Sequence, residues 1–93
     1  MAEFDIYESD QFRRKLKKLG KQPEQKINKK LKEFIIPLLK LEPRFGPNIR
    51  KLKGYSPETW RYRVGQVRLF HVVDNEEHVV NFLTVDDRKD AYK

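Results

Sequence analysis

Trp60-Arg61-Tyr62-Arg63-Val64-Gly65-Gln66-Val67-Arg68-Leu69-Phe70 decides the fold. Residues alternate with period two on both sides of Gly65-Gln66, and Gly at the first central position suits a two-residue type II′ turn. Val64 then opposes Val67, Arg63 opposes Arg68, Tyr62 opposes Leu69, Arg61 opposes Phe70 and Trp60 opposes His71. Opposed residues share a face of the sheet. One face therefore carries Trp60, Tyr62, Val64, Val67, Leu69 and His71, a core face, and the other carries Arg61, Arg63 and Arg68. Like charges directly opposite each other cost roughly 0.2–1 kcal/mol per pair, so Arg63 over Arg68 calls for a compensating anion. A phosphate is the simplest one. Acidic neighbours that neutralise the cluster, or long side chains splayed into solvent, are the arrangements that need no ligand.

Outward from the hairpin, the chain turns through Asp74-Asn75-Glu76-Glu77 and returns as His78 to Val85. With Val73 opposite His78, the core face gains Val80 and Phe82, and the arginine face gains Val72, Val79 and Leu83 beside Phe70. Such an apolar strip is where another element or a partner segment packs. Before the hairpin, Arg50-Lys51-Leu52-Lys53 reads as a short strand closed by Gly54, with Lys51 and Lys53 on one face. Glu42 to Pro47 is a loop by its Pro and Gly content.

Nearer the start, Phe4 to Glu8 alternates as a strand, and Ser9 or Asp10 can cap a helix whose apolar residues Phe12, Leu16 and Leu19 step by four and three. Gly20 ends it. A second helix opens near Pro23 and runs through Ile27, Leu31, Phe34, Ile35 and Leu38, with Pro37 kinking it or dividing off its last turn. Between Arg13 and Lys32 lie ten Lys or Arg against the single acid Glu24. That basic surface is either a solvated helix face or a contact for RNA. The order β-α-α-β-β-β-β implies an α+β domain: two N-terminal helices packed on a mainly antiparallel sheet of four to five strands.

The 93 residues support one domain, 1–93, and a chain of this length buries only about 60–65% of its extended surface. The net charge of +7 favours an anionic partner: nucleic acid, an acidic protein or an anionic membrane surface. With no cysteine, disulfide and thiolate chemistry are excluded. No signal-like start is present, and the longest apolar stretch, Phe34 to Leu39, is broken by Pro37, so a cytoplasmic protein with no membrane partner is expected. His71 reads as a hydrogen-bonded core residue and His78 as solvated; neither has a ligand partner at i+4, which argues against zinc. Asp86, Asp87 and Asp90, set beside Arg88 and Lys89, read as groups that orient the tail rather than as a magnesium site. No metal or other cofactor is expected.

Taken in order, the Lys-rich helical hairpin, Lys51-Leu52-Lys53-Gly54, Trp60 to Gly65, Val67-Arg68-Leu69 and the tail Asp87-Arg88-Lys89-Asp90-Ala91-Tyr92-Lys93 resemble the RelE/ParE toxin superfamily of toxin-antitoxin systems over nearly the whole chain. The resemblance implies a compact microbial RNase fold. It also implies, for the RelE branch, a ribosome-dependent endoribonuclease that cleaves mRNA in the A site and is blocked by a cognate antitoxin. The toxin is expected as a monomer within a toxin-antitoxin hetero-oligomer, with ribosome and mRNA as further partners and the antitoxin over the basic site or the apolar strip. On this chain the branch's site falls on Arg61 and Arg63 of the third strand, Arg68 opening the next, and Arg88 and Tyr92 in the tail, with Lys51 and Lys53 as RNA-binding helpers.

Arginine grips phosphate bidentately and stabilises a phosphorane, but its pKa above ~12 makes it a poor base. Some family members carry lysine where this chain has Arg61 and Arg63, so the proton acceptor is open, with Lys51, Lys53 and Tyr92 as candidates. Two other functions fit the same resemblance: a ParE-like, non-nucleolytic inhibitor of DNA gyrase, and a catalytically weakened member that mainly binds its antitoxin.

Overall fold

A computed structural model describes residues 3–87. Its elements are β1 (Asp5–Glu8), α1 (Asp10–Lys18), α2 (Lys21–Lys30), a π-helical turn (Leu31–Ile35), α3 (Ile36–Leu41), β2 (Ile49–Lys51), β3 (Thr59–Val64), β4 (Val67–Asp74) and β5 (Val79–Asp87). The five strands form one sheet in the order β1-β5-β4-β3-β2. Only the β1–β5 pair is parallel, with Ile6 beside Val80. The fold class is therefore α+β with a mainly antiparallel sheet.

The β3–β4 hairpin has the expected register throughout, from Val64 opposite Val67 to Trp60 opposite His71. Gly65 adopts φ 58°, the left-handed value that the first central residue of a type II′ turn requires. The core face is equally clear: Tyr62, Leu69, Val73, Val80, Phe82 and Val85 are buried against Phe12, Leu16, Ile27, Leu31, Ile35 and Leu39 of the helices. Phe12 meets Phe82 with ring centroids 4.9 Å apart. At roughly 1.5–3 kcal/mol for each fully buried large apolar side chain, this contact layer is the chief support of the sheet.

Three local features sharpen or change the sequence reading. Pro37 lies in the first turn of α3 and divides it off from the second helix, the second of its two expected effects, rather than kinking a continuous helix. The irregularity is displaced upstream into the π turn, where the Ile36 amide donates to the Leu31 carbonyl five residues back. This widening relieves the crowding that the proline ring imposes on the preceding turn. Secondly, Val73 pairs with Val80, not His78, so the β4–β5 register is two residues from the expected one. A slip of two preserves the faces, and Val80 and Phe82 still point into the core. His78, at φ 58°, belongs to the longer connection.

The third difference matters most for the site. A β-bulge at Leu83 changes the register from His71 opposite Phe82 to Phe70 opposite Thr84. Without that extra residue Val85 would fall opposite Arg68 and Asp86 would turn to the core side. With it, Val85 is buried and Asp86 stands opposite Arg68. The bulge is held by the start of α1. Ser9 Oγ donates to the Leu83 carbonyl at 2.6 Å and accepts from the Phe12 amide at 3.0 Å, while the Ser9 amide donates to the Phe82 carbonyl at 2.9 Å. One serine thus caps a helix and fixes a strand irregularity.

Candidate functional site: the arginine face of the sheet

On the face away from the helices, β3 supplies Arg61 and Arg63, and β4 supplies Arg68, Phe70 and Val72. Arg63 lies directly opposite Arg68, as expected. Arg63 is exposed, and its Nε donates to the Gly65 carbonyl at 3.2 Å, which turns the side chain back toward the hairpin tip. Arg68 is half-buried; its Nη2 donates to Asp86 Oδ2 at 2.6 Å. So one acidic neighbour does sit in the cluster, and it neutralises one arginine of the facing pair.

The edge strand β2 differs from the expected one in its bounds and in which side chain meets the arginine row. Arg50 pairs with Arg61 and Lys51 pairs with Trp60. Opposed residues share a face, so Arg50 joins the arginine row and Lys51 stands on the helix side, where its charge acts on Glu58. Lys53 lies beyond β2, in the turn that follows it, and is exposed. The strand is Ile49–Lys51, not Arg50–Lys53. Sequence reasoning missed Arg50 because a one-residue change of partner moves a side chain through the sheet. The available signal was Ile49, whose apolar side chain belongs on the core side with Tyr62, its partner. Arg88 and Tyr92 lie outside the described residues.

Next to Arg61 the same face sinks into a nearly apolar hollow of about 230 Å³, lined by Leu52, Tyr55, Thr59, Phe70, Leu83 and Thr84. Phe70 and Leu83 of the expected apolar strip line it, with Tyr55 and Leu83 exposed at its rim. The basic row and the hollow are adjacent, so a ligand on this face meets guanidinium groups first and apolar surface one step further along the strands.

Behind the sheet a polar network fixes the frame. Arg44 Nε donates to Glu58 Oε2 at 2.6 Å, and Trp60 Nε1 donates to the same oxygen at 2.6 Å. The Arg44 guanidinium, followed by burial acting the other way and the Trp60 bond, gives Glu58 a net pKa below the ordinary value. His71 is fully buried and its Nε2 faces the Pro43 carbonyl at 3.1 Å. Burial lowers its pKa, only partly opposed by that carbonyl and by Glu58. It is the hydrogen-bonded core residue that its position in β4 implied. Among the described residues no group of three or more His, Asp or Glu can hold a metal ion, and no helix is long and apolar enough to cross a membrane.

This fold is shared with RelE toxins. The RelBE2 toxin-antitoxin complex of Mycobacterium tuberculosis matches at TM-score 0.70 with 28% identity, covering 95% of this chain and 94% of that one. A double arginine-to-alanine mutant of Escherichia coli RelE in the free state matches at TM-score 0.65 with 26% identity, covering 99% and 90%. RelE in the RelE-RelB complex of Pyrococcus horikoshii, at 21% identity and TM-score 0.67 over 91% and 94%, shares the fold. Comparison with curated proteins finds no match. A sequence profile of the ParE toxin of type II toxin-antitoxin systems matches residues 6–92, and the chain belongs to that family, within the RelE/ParE superfamily. It is the toxin of a type II toxin-antitoxin pair.

Proposed function

We propose that the protein is a ribosome-dependent endoribonuclease that cleaves mRNA in the A site and so inhibits translation. The observation that supports this best is the row Arg50, Arg61, Arg63 and Arg68 on one open sheet face of a RelE-like fold. Cleavage proceeds by attack of a 2′-hydroxyl on the adjacent phosphate, without metal. Arg61, Arg63 and Arg68 bind the phosphate and stabilise the developing charge, and Arg88 and Tyr92 of the tail complete the site. Loss of one such preorganised donor typically costs on the order of 10²–10³ in rate. Lys51 and Lys53 bind RNA flanking the site. The ribosome supplies substrate alignment, which accounts for catalysis by so few groups.

The partner is a cognate antitoxin, as in the RelE-RelB complexes among the solved relatives. It covers the arginine row or the apolar hollow beside it. The compartment is the cytoplasm, where ribosomes are met. A ParE-like gyrase inhibitor is the second reading, favoured by the family whose profile matches. Induction of the wild type and of Arg61→Ala in bacteria separates the two. Under the RNase reading, protein synthesis stops within minutes, plasmid supercoiling is unchanged and Arg61→Ala is harmless. Loss of supercoiling with continued translation would establish the gyrase reading instead.

A further inference from the structure

We propose that Asp86 is the proton acceptor for the 2′-hydroxyl in this cleavage, an assignment that rests on the RNase reading. The reaction needs a base, and the arginines cannot serve, since they stay protonated at neutral pH. Lys51 stands on the other face of the sheet. Lys53 lies in the turn beyond β2. His71 is buried on the helix side with Nε2 committed to the Pro43 carbonyl. Of the other acids on the arginine face, Asp5 pairs with Val79 and Asp74 pairs with the same residue from β4. Both stand at the far end, six residues along β4 from Arg68, which is roughly 20 Å at the rise of a strand. Asp74 Oδ1 is moreover taken by the amides of Glu76 and Glu77, each at 3.0 Å.

Among the described residues, Asp86 is the acceptor that the sheet places in the arginine row. It lies opposite Arg68, which itself lies opposite Arg63, so the three residues share one level of the sheet. Its side chain is 41% exposed, open to a ligand on this face. Oδ2 is fixed by Arg68, and Oδ1 accepts no hydrogen bond from the described residues. Arg68 stands on the neighbouring strand, about 4.8 Å away, so a phosphate held by its remaining donors would lie beside that carboxylate. The Leu83 bulge, anchored by Ser9, is what turns Asp86 to this face at all.

In the step, Asp86 takes the 2′-hydroxyl proton as the 2′-oxygen bonds to phosphorus. The bond from phosphorus to the 5′-oxygen breaks, and that oxygen takes a proton from water. The hydroxide left behind recovers the proton from Asp86. The products are a 2′,3′-cyclic phosphate and a 5′-hydroxyl, with no atoms gained or lost.

The test is single-turnover cleavage of mRNA on programmed ribosomes by wild type, Asp86→Asn, Asp86→Ala and Asp86→Glu, with circular dichroism melts of each. Asparagine keeps an oxygen that accepts from Arg68 but cannot take the proton. Asp86→Asn is expected to be slowed about 10²-fold or more, like Asp86→Ala, and Asp86→Glu to retain most of the rate. Asp86→Asn within about threefold of wild type, with Asp86→Ala slow, would reduce Asp86 to a holder of Arg68 and overturn the assignment. Asp86→Glu as slow as Asp86→Ala while folded would overturn it too. Should wild type leave mRNA intact, the RNase reading itself falls, an outcome distinct from either.

Discussion

Arg63 and Arg68 stand directly opposite each other across the β3–β4 hairpin, and among the described residues only Arg68 of the two has its charge met, by Asp86 at 2.6 Å on the next strand. Like charges so placed cost stability, and sites that bind anions commonly carry such a cost. Arg63→Ser is therefore expected to raise stability by a few tenths of a kcal/mol at low salt. Added sulfate should raise the melting temperature of wild type more than that of the variant. Urea unfolding and melting curves check both effects; equal sulfate shifts would show that the pair binds no anion.

Ser9 links the helix layer to the site. Its hydroxyl caps α1 and holds the Leu83 carbonyl, so Ser9→Ala removes two hydrogen bonds. Loss of an N-cap alone typically costs about 1 kcal/mol. The expected result is destabilisation of about 1–2 kcal/mol by urea titration. A reduced cleavage rate is also expected at a temperature where the variant remains folded, because the bulge that presents Asp86 is loosened.

His71 sets the acid limit of stability. Neutral in the fold, it donates from Nε2 to the Pro43 carbonyl, while its buried Nδ1 has no hydrogen-bond partner to receive an added proton's charge. Its folded pKa lies below 6.5, so the unfolded chain binds the proton first. Stability is thus complete above about pH 6.5 and declines as pH falls from there toward the folded value, by at most about 1.4 kcal/mol per pH unit. Glu58, whose folded pKa is below 4.5, adds its own loss only when pH falls through that lower range. Unfolding titrations from pH 8 to 5 on wild type and His71→Gln are the check. The variant's profile should be flatter between about pH 6.5 and 5.

Gly65 fixes the register on which the arginine row depends. At φ 58°, in the first central position of a type II′ turn, any side chain is strained and glycine is not. Gly65→Ala and Gly65→Val are each expected to cost about 1–3 kcal/mol by urea titration. The open space around its Cβ position means that any loss comes from the backbone rather than from a clash.

The hairpin, its faces and the core were legible in the sequence because period-two alternation and a Gly-Gln turn fix a register by themselves. Helix α1 was legible from Ser9 and the spacing of Phe12 and Leu16. What escaped were features set by tertiary partners. The π turn answers Pro37 at a distance, and Arg50, not Lys51, meets the arginine face because Ile49 seeks the core beside Tyr62. The Leu83 bulge depends on a bond from Ser9, 74 residues away in the chain, and no local pattern encodes that. Asp86, read from the sequence as a group that orients the tail, enters the site through that bulge.

The most direct measurement is translation in vitro with the purified protein, mapping mRNA 5′ ends by primer extension, beside Arg61→Ala, Arg88→Ala and ribosome-free reactions. Cuts inside codons that require ribosomes and both arginines are the expected result. Intact mRNA in the presence of folded wild-type protein would contradict the nuclease reading.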